Sequence, residues 1–299
     1  MKLNKLTLKD KKLFDIFLSL HKHNLSVYAF ANIYIWKELF DIRWALIEDS
    51  LCIFFKDKIG CFLYLPPLSK DISPWIIKKS FEIMDRFNKN KEVSRIENIE
   101  EEDIPFYRDL GYICRNKSDD YLCLRIDLVK LPGNKFKSKR SSCNYFTKHY
   151  TFQYLPLSLK YRYSCLKLYN SWMKERKSQN QDHIYQGMLE DSLGCMKIVL
   201  NNYKDLNFIG RAVKINQEIK AFTLGFKLNR DAFCILYEIT DLSIKGLSQF
   251  IFRQFCRELD TYKYINIMDD SGLENLKKVK LSYHPISLIP AYIAKRKNV

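Results

Sequence analysis

Apolar residues near the start of the chain recur at helical spacing: Leu13, Phe14, Phe17 and Leu20 share one face. Thr7 and Asp10 form a capping pair just ahead of them. Trp44–Ile47 and Leu51–Lys56 flank a short Asp49–Ser50 turn and predict a hairpin. Cys61–Leu65 predicts a third strand, closed by Pro66 and Pro67. Ser73 followed by Pro74 is an N-cap with proline at the first helical position, and Ile76, Ile77, Phe81, Met84 and Phe87 continue that helix along one face. Tyr121–Ile126 predicts a further strand. Strands and amphipathic helices mix in this half without a regular βαβ repeat.

The segment Leu131–His149 changes character, because its charges are all positive and its period shifts. It sets a division into an N-terminal domain over 1–130, a basic bridge over 131–150 and a C-terminal domain over 151–299. The last part predicts a strand at Thr151–Leu155 and helices at Leu159–Lys177 and Met188–Tyr203. Strands follow at Phe208–Lys214, Ile219–Lys227 and Ala232–Thr240, then a helix at Ile244–Leu259. A strand at Tyr264–Ile267, a helix at Leu273–Lys280 and a strand at Ile286–Tyr292 close the chain. One strand, two helices, three antiparallel strands, helix, strand, helix, strand is the order of an acetyltransferase-like (GNAT) domain, an α/β (α+β) fold.

Composition narrows the function. With 20 Phe and 19 Tyr the chain is far from a disordered composition. A formal charge of +16 favours an anionic partner, either RNA, anionic lipid or a phosphorylated co-substrate, unless it is a general lysine bias. The 9 cysteines lack a Cys-x-x-Cys pair, and Cys52, Cys61, Cys123 and Cys234 sit in apolar stretches, so buried free thiols are expected. The five histidines show no metal-ligand spacing; His21 and His23 diverge on a helix. No metal and no bound cofactor are expected. The charged start, Met1 through Lys12, carries no signal-peptide pattern, and Asn24–Trp36 is too short and polar to span a bilayer. The expectation is a cytoplasmic protein able to work at a membrane surface.

Phrases along nearly the whole chain carry a family resemblance. They are Phe30-Ala31-Asn32-Ile33-Tyr34-Ile35-Trp36, then Leu65-Pro66-Pro67-Leu68, then Asp119-Asp120-Tyr121 with Leu131 and Gly133 ahead of Lys139-Arg140. Tyr237-Glu238, Lys245-Gly246, Tyr264-Ile265-Asn266, Asp269-Asp270 and Gly272-Leu273 follow, and Lys277, Lys280, Ser282-Tyr283 and Pro285 close the set. The chain resembles an uncharacterised bacterial family related to the C-terminal domain of phosphatidylglycerol lysyltransferases. The resemblance implies two GNAT-like domains in tandem. In the lysyltransferases that unit moves an aminoacyl group from charged transfer RNA to an anionic lipid headgroup. Ser271 stands where the family phrase Asn-x-x-x-Asp-Leu-Gly has leucine, and a counterpart of the large membrane-embedded domain of those enzymes is not expected.

Acyl transfer needs a proton acceptor, donors for a carbonyl oxygen and cations for the donor's phosphates. Asp269 and Asp270 follow a strand where GNAT-like sheets open towards substrate, and serve either as a base or as an acidic turn capping the next helix. Glu238 lies late in an apolar strand, on a face with Leu236 and Thr240; it is either catalytic or ion-paired with Lys280 or Arg253. Lys245-Gly246 opens a helix, as a phosphate site or as a plain turn. Lys135, Lys137, Lys139, Arg140 and Lys148 interleave with Phe136, Tyr145 and Phe146, which gives a phosphate-binding ridge or a solvated face. If helical, Phe136, Arg140 and Cys143 share a side, with Lys135, Lys139 and Ser142 adjacent.

The assignment that follows has Asp269 or Glu238 as proton acceptor and Lys280 and Tyr283 as carbonyl or headgroup contacts. Lys135, Lys139, Arg140, Lys245 and Gly246 bind phosphate, with Asn266 and Asp270 beside the substrate. Ser141, Ser142 and Cys143 lack a partner base, so no covalent nucleophile is expected. Trp36, Trp44 and Trp172 read as core. The expected reaction is transfer from an aminoacyl-tRNA-type donor to an anionic lipid, peptide or small amine. The alternatives are an acyl-CoA-dependent N-acyltransferase, or a non-catalytic RNA- or membrane-surface-binding protein.

Overall fold

A computed structural model describes residues 2–297. The chain divides into two compact units: unit 1 takes the chain up to Asp120, Asp269–Lys277 and the chain from Leu288, and unit 2 takes Tyr121–Met268 and Lys278–Ser287.

In chain order, β1 (Asn4–Lys5) precedes α1 (Lys11–Leu18), which buries Phe14 and Leu18. The Thr7 N–H donates to Asp10 Oδ2 at 2.7 Å, so the capping pair forms. After the buried α2 (Phe30–Tyr34) comes the hairpin of β2 (Asp41–Ile47) and β3 (Ser50–Lys56), with Ile47 opposite Ser50. Its turn is Glu48–Asp49, one residue earlier than the sequence pattern placed it. β4 (Cys61–Leu63) leads to α3 (Pro74–Phe87), whose first turn is capped by the Ser73 hydroxyl accepting the Ile76 N–H at 3.3 Å. β5 (Ile96–Glu100), α4 (Ile104–Asp109) and β6 (Tyr112–Leu124) follow.

Next come α5 (Arg125–Lys130), α6 (Lys137–His149), β7 (Gln153–Pro156), α7 (Arg162–Gln179) and α8 (His183–Asn201). β8 (Ile209–Ile215), β9 (Glu218–Lys227), β10 (Ala232–Thr240), α9 (Leu247–Glu258) and β11 (Tyr264–Asn266) continue unit 2. α10 (Glu274–Leu281) and β12 (Ser287–Arg296) end the chain.

In unit 1 the strands run β1-β2-β3-β4-β5-β12-β6, with β4 and β5 parallel. In unit 2 the end of β6 is followed by β11-β10-β9-β8-β7. β10 and β11 run parallel, and the other unit 2 pairs are antiparallel. Two differences from the sequence division stand out. The last strand pairs with β5, Ala291 opposite Glu100, and so joins unit 1. The basic segment is not a separate bridge, because α6 falls wholly within unit 2 and contacts α9.

One core of unit 2 gathers Phe233, Phe255, Ile265, Cys256 and Tyr283, and a second gathers Phe146, Val213, Leu247 and Ile251. Eight cysteines are buried and Cys114 is half-buried, all as free thiols. Trp36, Trp44 and Trp172 are half-buried instead of lying in the core. No helix among the described residues is long and apolar enough to cross a membrane.

Candidate active site

The site is built on an interruption in β10. Its register against β9 slips between Ile235, opposite Gly225, and Tyr237, opposite Leu224. Gly225 makes the slip feasible: a Cβ there would stand 1.9 Å from the Cys234 carbonyl oxygen. The parallel pairing of β10 with β11 covers only Ala232–Cys234 and stops just short of the same point. From there β10 continues to Thr240 alongside β9.

Beyond the bulge, successive side chains take opposite faces. The Tyr237 hydroxyl donates to the Ser192 carbonyl on α8 at 3.0 Å. Glu238 turns the other way and accepts the Ser248 hydroxyl of α9 at 2.6 Å. It is crowded by protein atoms yet only half-buried by exposure. Burial pushes its carboxyl up to about 7, against the opposing pull of the Ser248 hydrogen bond and the charge of Lys139.

Lys139 comes from α6. Its Nζ lies 4.0 Å from the centroid of the buried Tyr283 ring and, among the described residues, makes no hydrogen bond. Burial holds this ammonium below its ordinary value, while Glu238 pulls it back up. Burial, then Glu238, pushes the Tyr283 phenol well above its usual range. Cys143, one turn on, is buried; burial raises its thiol and Arg253 opposes that rise. A carboxyl near neutrality, an ammonium without a fixed acceptor and a hydroxyl thus meet on three elements of unit 2.

The remaining candidates have other partners. Lys280 is buried and donates to the Ile267 carbonyl. Arg140 donates to the Leu131 and Gly133 carbonyls, which shapes the turn before α6. Arg253 donates to the Val129 carbonyl at 2.8 Å. Lys245 is exposed, 4.6 Å from the Tyr145 ring. Gly246 has φ +83°, and a Cβ there would meet the Ser142 carbonyl oxygen at 2.1 Å, so its open side is filled by α6 backbone. Asn266 is buried and accepts the Met268 N–H at 2.6 Å. Asp269 accepts the Ser271 N–H at 3.2 Å and Asp270 the Gly272 N–H at 2.9 Å, both in the turn before α10 and both assigned to unit 1. Lys135, Lys137 and Lys148 remain exposed on or beside α6.

Comparison with protein families matches residues 19–295 to the model described as phosphatidylglycerol lysyltransferase, C-terminal. The chain belongs to that lysyltransferase C-terminal family. A comparison with curated proteins found no match. A conserved protein of unknown function from Bacteroides thetaiotaomicron is 26% identical, with a TM-score of 0.89 over 99% of this chain and 100% of that one. The C-terminal domain of a putative lysylphosphatidylglycerol synthetase from Agrobacterium fabrum is 11% identical, with a TM-score of 0.68 over 97% and 92%. The L-PGS structure from Bacillus licheniformis is 18% identical, with a TM-score of 0.65 over 97% and 93%. The fold is therefore the tandem GNAT-like acyltransferase type, and the family is one of transferases.

For this member of the lysyltransferase C-terminal family, sequence reasoning missed Ser248 and the inward turn of Lys139. The second had a signal. Phe136, Lys139, Cys143 and Phe146 recur at three, four and three residues, the spacing of one helical face, and the three apolar members of that run are buried. Taking Phe146 into the phase would have put Lys139, and not Arg140, on the packed side. Ser248 had no such signal, since only the packing of α9 against β10 brings it to Glu238.

Proposed function

We propose that unit 2 catalyses transfer of an activated acyl group, with an aminoacyl ester of transfer RNA as donor and an amine or hydroxyl as acceptor. The observation that carries this reading is Glu238: a reachable carboxyl near neutrality, hydrogen-bonded to Ser248 and set beside Lys139. A general base works best with its pKa near the operating pH. In the proposed step the acceptor's N–H or O–H gives its proton to the Glu238 carboxylate as the nitrogen or oxygen attacks the ester carbonyl. Lys139 meets the carbonyl oxygen as negative charge develops on it. The tetrahedral intermediate then breaks the ester C–O bond, and protonated Glu238 returns the proton to the departing ribose hydroxyl.

The turn hydrogen bonds of Asp269 favour Glu238 over it as the base. The Ser142 carbonyl against Gly246 argues against a coenzyme A pyrophosphate there, because it sets a negative dipole end where the phosphate would lie. The test is transfer of label from a pool of aminoacylated transfer RNAs to anionic lipid vesicles, cell-wall peptide and small amines. Label should move with the intact protein and fall at least about 100-fold with Glu238→Gln. Transfer RNA bound with no label moved would replace this reading with a binding protein. Transfer from acyl-coenzyme A alone would replace the donor.

A further inference from the structure

Unit 1 has a cavity of about 940 Å³ that the reading above does not use. Three separate stretches of chain converge on it. Lys91 comes from a single 3-10 turn ahead of β5, Ile113 and Arg115 from β6, and Ile293 and Lys295–Lys297 from the end of β12. Five cations therefore face one space, and Glu92 is the only carboxylate in its lining among the described residues. The chain as a whole has 50 basic against 34 acidic residues, so this lining is more one-sided than the chain's own ratio.

The pairing of these groups matters more than their number. Arg296 is spoken for: it bonds Asp85 Oδ1 at 2.5 Å and lies 5.0 Å from the Phe81 ring. Lys91, Arg115, Lys295 and Lys297 are exposed and, among the described residues, make no side-chain hydrogen bond or ion pair. Four exposed cations gathered around one cavity repel one another, and the neighbouring Asp85, whose charge acts on Lys91, is already bonded to Arg296. A multiply charged anion would relieve that repulsion. Lysine and arginine together suit phosphate, as point charge and as planar fork respectively. One phosphate would leave most of the volume empty, since about 300–1,000 Å³ is the range of sites for whole small molecules. Ile113 and Ile293 add apolar surface within the same lining, suited to the face of a flat ring.

We infer that this cavity binds a small molecule carrying two or more phosphate groups and an aromatic ring, the chemistry of a nucleoside polyphosphate. The site lies wholly in unit 1 and stands independently of the acyl-transfer reading of unit 2.

Titration of the full chain with ATP, with pyrophosphate and with a single-stranded RNA oligonucleotide, followed by calorimetry, tests it. ATP should bind saturably at one site, more tightly than pyrophosphate, and weaken as salt is raised. The triple variant Lys91→Glu/Arg115→Glu/Lys295→Glu should lose at least about 100-fold in ATP affinity. A control, Lys135→Glu/Lys137→Glu on the exposed lysines at α6, should stay within about twofold. The neutral triple change to Met should lose affinity as well, while its thermal midpoint stays level or rises because repulsion is removed. No saturable ATP binding, equal loss in the control, or tight RNA binding that ATP does not displace would each overturn the inference.

Discussion

Two glutamates, one in each unit, sit among protein atoms on β-strands and titrate in opposite directions. Glu97 on β5 of unit 1 is buried and takes Arg95 Nε on one oxygen at 2.7 Å and Lys117 Nζ on the other at 2.6 Å. Burial alone would raise its pKa, but Lys117 and Arg95 outweigh it and hold the carboxyl below its ordinary value. Glu238 on β10 of unit 2 has one hydroxyl and one cation that makes no hydrogen bond to it, and burial wins. The difference teaches that depth alone does not set how a carboxylate titrates; the presence or absence of a bonded counter-ion does. Its two bonded cations favour Glu97 as an anion, whereas Glu238 is left able to take and release a proton near neutral pH.

The largest expected effect that tests this contrast is on activity. Glu238→Gln should cost transfer about 100-fold or more, and Glu97→Gln should alter it little once folded protein is compared. Equal loss in both variants would erase the distinction. Next in size is stability on the other side. Removing both Arg95 and Lys117 as Met leaves Glu97 buried without a cation and should cost about 3–5 kcal/mol in chemical denaturation.

The pH dependence then has opposite signs at the two sites. Because the folded pKa of Glu238 is raised, the native state holds more protons than the unfolded chain between 4.5 and about 7. Its contribution therefore falls as pH rises through that window and stays lost above it. Glu238→Gln should consequently be more stable than the wild type at pH 8, by at most about 3 kcal/mol given partial solvent access, and no more stable below pH 4. Glu97 is the mirror case: its contribution is present above the ordinary carboxylate range and is lost as acid titrates it through its lowered folded pKa.

Lys139→Met removes the one positive charge that pulls the Glu238 pKa down. The acid limb of the transfer profile should move up by about one unit, and an unmoved limb would separate the two residues. Smallest is Asp269→Ala, which removes an acceptor for the Ser271 N–H; it should cost about 1 kcal/mol or less and leave transfer in place. Loss of transfer there would hand the base's role to Asp269.

Much of the fold was legible because its signals are local. Ser73-Pro74 predicts a capped helix start and the hydroxyl does accept the Ile76 N–H; the apolar run Ala232–Thr240 predicts β10 with the bounds it has. The phrases from Phe30 to Pro285 carried the family, which the match over residues 19–295 shows. The site was less legible. Glu238 was singled out from a carboxylate in an apolar strand, but the same reasoning gave Lys280 and Arg253 as its counter-ions, and both are bonded to backbone carbonyls instead.

By itself, then, the sequence determined the elements, their order and the fold family, because periodicity and caps depend on residues within a turn or two of each other. Only tertiary structure decided which strand β12 would join, where Lys139 points and at what pH Glu238 releases its proton. Each of those rests on groups distant along the chain: β5 for the last strand, Tyr283 for Lys139, and Ser248 with the whole surrounding core for Glu238. A pKa and a sheet partner are properties of an environment, and that environment exists only once α6, α9 and β10 have packed.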